Sequence, residues 1–227
     1  MIDVQPWMSE AVRLLRGRFQ ERLLFVGLQG SYRRGEARED SDIDIMAIFD
    51  RLDLADLAAY RALLRSLPEG EKACGFTCGL PELRAWPPFE IFQFARDTDA
   101  WHGELAPLLP QVSRADTVTG ARAAVSGLHH FTAYLYVSGE EDGRAEELKG
   151  VYKGWFFAMQ VVEYLRSGLY ARSKKELLAR LSGEEAELLR LGMDAAHYAA
   201  RKKENPDALF QLMLGWTGRT MRELAQG

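Results

Sequence analysis

LLFVGLQGSYRRGEAREDSDIDIMAIF, residues 23–49, is the stretch around which the rest of the chain falls into place. Leu23 to Val26 is an apolar run with the look of a buried strand. A polar, charged loop, Tyr32–Ser41, follows Gly30-Ser31, and the chain then turns apolar again from Ile43 to Phe49. Asp42 and Asp44 interrupt that second run. Carboxylates are depleted in strands and are seldom buried unless something pairs with them. Strand side chains alternate, so Asp42 and Asp44 share one face, about 6.5–7 Å apart, while Ile43 and Ile45 point into a core.

Two hard-oxygen ligands on one rigid ledge suit Mg²⁺, which binds through a few carboxylates together with substrate phosphates. Gly30 and Ser31 close the preceding strand, where a small residue lets backbone N–H groups approach a phosphate.

Gly30-Ser31, ten intervening residues, then Asp42-Ile43-Asp44 resembles the signature of the polymerase-beta-like nucleotidyltransferase superfamily. The local form, Gly30-Ser31-Tyr32-Arg33-Arg34-Gly35-Glu36-Ala37 leading to Ser41-Asp42-Ile43-Asp44, is similar to small bacterial nucleotidyltransferase-domain proteins and to aminoglycoside nucleotidyltransferases. The resemblance implies an α+β fold: a mixed-sheet nucleotidyltransferase domain followed by an all-α helical bundle. It also implies a third carboxylate on a later strand beside the Asp-x-Asp strand, acting as general base or metal ligand, and a lysine from the helical part reaching the triphosphate.

Composition sets the outer bounds. The 227 residues suffice for one large domain or two small ones, and 47% hydrophobic with 27% charged residues describes an ordinary globular protein. A net charge of −4 argues against a dedicated nucleic-acid binder, so nucleic acid is not an expected partner. No apolar run reaches the roughly 18 residues a membrane span needs, and the start lacks a signal-peptide core. The expectation is a cytoplasmic protein with no membrane partner, and a homodimer is compatible with it. Cys74 and Cys78 are the two cysteines, too few for a disulfide scaffold or a four-ligand zinc site, and read as half-buried thiols in a reduced compartment.

Along the chain, residues 7–22 and 53–67 carry helical stripes, 72–78 a short strand, and 81–86 a helical turn. Phe89-Glu90-Ile91-Phe92-Gln93-Phe94-Ala95 is rich in aromatic and β-branched residues and reads as a strand. Glu90 is the acidic residue inside that run and so the candidate third carboxylate, with Asp97 and Asp99 as competitors. After Pro110 the pattern is helical, over about 114–137, 144–167, 173–181, 184–202 and 206–225, with glycines and Asn205-Pro206 as punctuation. The expected division is a nucleotidyltransferase domain over 1–112 and a helical bundle over 113–227. Trp155, Phe156, Met159 and Val162, with Tyr152, form the apolar stripe of the bundle.

The expected activity is transfer of a nucleoside monophosphate from an NTP, ATP first among them, to an acceptor hydroxyl, with release of pyrophosphate. Asp42 and Asp44 would hold Mg²⁺, Gly30 and Ser31 the β- and γ-phosphates, and Arg34 (or Arg33 or Arg38) would neutralise phosphate charge. Lys153 would reach the triphosphate, Glu90 would serve the acceptor, and the acceptor would lie between the two halves. Two alternatives come from other classes. One is a non-catalytic nucleotide-binding or antitoxin-type module on the same fold. The other is a ribonuclease built on Arg190 and His197, whose spacing resembles the HEPN motif.

Overall fold

β1 (Leu23–Leu28) and β2 (Ile43–Phe49) pair antiparallel, with Val26 opposite Ala47 and Leu28 opposite Ile45. They form the centre of the fold in a computed structural model that describes residues 2–141 and 143–226, the side chains of Tyr152 and Lys153 excepted. The chain divides into two compact units, one up to Val112 and one from Ser113.

In the first unit, β3 (Ala73–Cys74) and β4 (Thr77–Gly79) both run parallel to β2, one after the other along its length, and β5 (Asp99–His102) runs antiparallel to β1. The sheet is therefore mixed, in the order β3-β2-β1-β5 with β4 also on β2. The expected single strand over 72–78 is split at Gly75. Its φ of +126° and a would-be Cβ only 2.3 Å from the Ile45 carbonyl oxygen admit glycine alone.

The two faces of the sheet are covered differently. Ile43, Ile45, Ala47 and Phe49 join Val26 and Leu28 against α1 (Val4–Phe19) and α3 (Leu54–Arg65), through Met8, Leu15, Phe19, Tyr60 and Leu64. Each such side chain contributes about 1.5–3 kcal/mol of burial. Arg22 locks this layer: its guanidinium donates to Asp50 after β2 and, through two nitrogens, to Asp56 in the first turn of α3. The Asp56 carboxyl is held down to about 2, chiefly by the Arg22 hydrogen bonds.

The opposite face carries Phe25, Met46 and Ile48, packed on Cys78, on Leu83 of α4 (Leu80–Ala85) and on Ile91 of α5 (Pro88–Arg96). Here the sequence expectation fails, because residues 88–96 are a helix and not a strand. Pro88 sits in the first turn, where its missing N–H costs nothing, and one helical face brings Ile91 and Phe92 into the interior. Packing on Phe25, Met46 and Ile48 overrides the β-preference of the individual residues. The loop expected after Ser31 also begins differently, as the single-turn helix α2 (Gly30–Arg34), capped by Gly35 at φ +69°.

The second unit is helical. α6 (Arg114–Ser138) packs with α7 (Arg144–Ser167) and α11 (Pro206–Gln226). Trp155, Phe156, Met159 and Val162 of α7 are buried as expected, and the Trp155 and Trp216 rings lie 5.0 Å apart. Tyr152 falls outside the described side chains. α8 (Lys174–Leu178) is shorter than the sequence pattern implied, and the helix expected over 184–202 is two helices, α9 (Gly183–Met193) and α10 (Ala195–Glu204). Asp194 breaks them, its carboxylate accepting the backbone N–H groups of Ala196 and His197 as an N-cap. Among the described residues, no helix is long and apolar enough to cross a membrane.

Candidate active site

The strand alternation that buries Ile43 and Ile45 turns Asp42 and Asp44 to the α5-side face. Asp42 is exposed just before β2, and Asp44 is half-buried within it. Met46 and Ile48 continue that face into the core, so the carboxylates occupy its open end.

Gly30 meets Asp44 there. The backbone N–H of Gln29 donates to the Asp44 carbonyl oxygen at 2.8 Å, which brings the start of α2 against β2. A β-carbon on Gly30 would stand 1.7 Å from Asp44 Oδ2 and 2.5 Å from its Cγ. The backbone there is also left-handed, at φ +66°. Glycine is thus required twice over, by conformation and by the space that the carboxylate takes. Ser31 follows in the first turn of α2, where N–H groups have no acceptor within the helix.

On the other side of Asp44 lies β3. Cys74 is the cross-strand partner of Asp44, and its thiol donates to Asp44 Oδ1 at 3.6 Å. Cys74 is exposed, whereas Cys78 is buried and its thiol is pushed up to about 12 by burial. The reading of both as half-buried thiols does not hold.

The two arginines of α2 do different work. Arg33 turns inward, its side chain 2% exposed. It donates to Asp97 Oδ1 at 3.0 Å, to Asp99 Oδ1 at 3.2 Å and to the Arg96 carbonyl oxygen at 2.9 Å. Asp97 and Asp99, weighed above as possible third carboxylates, are the acceptors that anchor α2 to the approach to β5. Arg34 donates through Nε to Glu36 Oε2 at 3.0 Å and is itself 7% exposed. Gln29 adds a further tie, its amide donating to Thr98 Oγ1 at 2.8 Å.

Glu90 does not stand on a strand beside Asp42 and Asp44. It sits exposed in the first turn of α5, and its Oε2 accepts the Trp86 indole N–H at 2.7 Å. The alternation argument that placed it with the aspartates is removed with the strand. Lys153 lies outside the described side chains. In the helical unit, His197 faces Glu187 Oε1 at 2.9 Å and Arg190 is exposed, so the histidine of the ribonuclease alternative is engaged by a carboxylate.

The donor set can be tested against Mg²⁺. Two hard carboxylates at the open end of a rigid strand, one of them against a glycine that leaves it room, match an ion that takes few protein ligands and completes its shell with phosphate and water. Among the described residues no group of three or more His, Cys, Asp or Glu converges as a cage.

Residues 12–74 match the nucleotidyltransferase domain family. That segment holds β1, α2, β2 and β3. The chain is also similar in structure to spectinomycin adenyltransferase AAD(9) from Enterococcus faecialis, solved with ATP and spectinomycin. The match has a TM-score of 0.59 at 11% identity and covers 96% of this chain and 98% of that one. At that identity the likeness is one of fold. No curated protein matches the sequence.

Proposed function

We propose that this chain, whose residues 12–74 match the nucleotidyltransferase domain family, transfers a nucleoside monophosphate from an NTP to an acceptor hydroxyl. The observation that carries this reading is the fit of the Gly30 backbone against the Asp44 carboxylate, which places amide donors and a hard anionic ledge side by side.

In the proposed reaction the acceptor oxygen forms a bond to the α-phosphorus, the bond from that phosphorus to the α,β-bridging oxygen breaks, and pyrophosphate leaves. The acceptor proton passes to a base or to solvent. Asp42 and Asp44 would hold Mg²⁺, which when bound offsets charge on the α-phosphate and the leaving oxygens. The amides of Gly30 and Ser31 and the Ser31 hydroxyl would orient the β- and γ-phosphates, as donors already pointing out of a helical turn. Arg34, which donates to Glu36 Oε2, carries a positive charge that favours a triphosphate nearby. Arg33 serves by holding α2 in place.

The structurally similar adenyltransferase was solved with ATP and spectinomycin, which puts ATP first among donors to try and spectinomycin first among acceptors. The test is incubation with Mg²⁺ and each NTP over an acceptor panel that includes the protein itself. Pyrophosphate release and mass spectrometry of the acceptors are the readouts. An acceptor heavier by one nucleoside monophosphate, lost in Asp42→Asn, supports the proposal. Nucleotide binding without any adduct supports the non-catalytic module, and cleavage of added RNA supports the ribonuclease.

A further inference from the structure

Asp44 is gripped from two sides. Gly30 abuts Oδ2 from the β1 side, and the Cys74 thiol reaches Oδ1 from β3 at 3.6 Å. The second contact follows from register, since β3 is parallel to β2 with Ala73 opposite Ile43 and Cys74 opposite Asp44. Gly75, at a φ of +126° and so close to the Ile45 backbone that no β-carbon would fit, follows the cysteine directly and ends β3. A neighbouring strand at this point can present a side chain to the carboxylate, and in this chain the side chain is a thiol.

We propose that Cys74 is a positioning residue for Asp44: its S–H, donated to Oδ1, sets the rotation of the carboxylate and so the oxygen offered to a divalent cation. The inference rests on the proposed role of Asp44 as a Mg²⁺ ligand. A thiol is a weak donor, yet a donor to a charged acceptor in a fixed cross-strand pair still restricts the carboxylate torsion. Serine in its place keeps a donor on a side chain of the same length, and alanine removes it. The exposure of Cys74 makes either substitution tolerable to the fold, while buried Cys78 is left untouched.

The experiment titrates Mg²⁺ at fixed ATP, following nucleotide binding by calorimetry, in the full-length wild type, Cys74→Ser, Cys74→Ala and Asp44→Asn. Thermal melts of each establish that the variants fold. Cys74→Ala should raise the Mg²⁺ concentration for half-saturation about fivefold, the size of an ordinary net hydrogen bond. Metal-free ATP affinity should stay unchanged, and Cys74→Ser should remain within about twofold of wild type, since it preserves the bond. An unshifted Mg²⁺ dependence in Cys74→Ala, or equal loss in Cys74→Ser, would overturn the positioning role. Wild-type Mg²⁺ dependence in Asp44→Asn would instead overturn the reading of Asp44 on which it rests.

Discussion

The α-carbon of Gly30 and the carboxylate of Asp44 lie so close that a methyl group on Gly30 would stand 1.7 Å from Asp44 Oδ2. This one contact joins the end of β1 to the open end of β2. It makes the Gly30 backbone and the acidic ledge parts of a single surface.

Gly30→Ala should therefore be more damaging than an ordinary loop substitution. Alanine at φ +66° costs about 1–2 kcal/mol from the backbone alone, and its methyl would displace the Asp44 side chain. Mg²⁺-dependent ATP binding should be lost while far-UV circular dichroism stays native. Wild-type affinity in this variant would contradict the contact.

Arg33 predicts a stability effect. Its side chain is 2% exposed and Asp97 9% exposed, so Arg33→Ala takes a cation away from a buried carboxylate. Breaking such a pair costs about 3–5 kcal/mol. Chemical denaturation of the variant should show a loss of that order. Arg33→Lys should recover only part, because one ammonium cannot span Asp97, Asp99 and the Arg96 carbonyl at once. A loss below about 1 kcal/mol, the level of an exposed pair, would show that the pair is not buried in solution.

The Arg22–Asp56 pair predicts a pH dependence. Folding depresses the Asp56 carboxyl to about 2, from an ordinary value of 3.8. Its contribution is therefore complete above the unfolded value and is lost as pH falls from about 4 toward 2. Asp56→Asn should flatten the fall of stability across that window and leave the slope above pH 5 unchanged. An identical acid slope in wild type and variant would contradict the assignment.

Glu90 predicts a separation of effects. Its carboxylate is exposed in the first turn of α5 and bonded to the Trp86 indole, and it does not share the strand that carries Asp44. Glu90→Gln should leave Mg²⁺-dependent ATP affinity within about twofold of wild type, as expected for loss of charge at an exposed position. A tenfold loss by calorimetry would place Glu90 among the metal-binding residues after all.

What could be read in the sequence was whatever depends on neighbours along the chain. Asp42 and Asp44 share a face because strand periodicity is two, and Gly30-Ser31 marks the end of β1 because both flanking runs are apolar. What escaped depends on partners far apart. Phe89 to Phe94 suits a strand by propensity and a helix by its Pro88 start, and only the sheet face offered by Met46 and Ile48 decides. Arg33 and Arg34 are consecutive and both nearly buried, and which one meets Asp97 and Asp99, more than sixty residues on, is set by the fold. Cys74 reaches Asp44 through a parallel register that no local pattern encodes. The break at Asp194 was different, since an Asp before Ala195-Ala196-His197 is a readable helix cap that the longer apolar pattern masked.

Asp42 and Asp44 together are expected to bind the metal–nucleotide complex. The most direct measurement is calorimetric titration of ATP into wild type and into Asp42→Asn/Asp44→Asn, each with and without Mg²⁺. Wild type should gain affinity when Mg²⁺ is added, and the double variant, folded by circular dichroism, should show no Mg²⁺-dependent component. A double variant that binds ATP with the wild-type affinity and the wild-type Mg²⁺ dependence would contradict it.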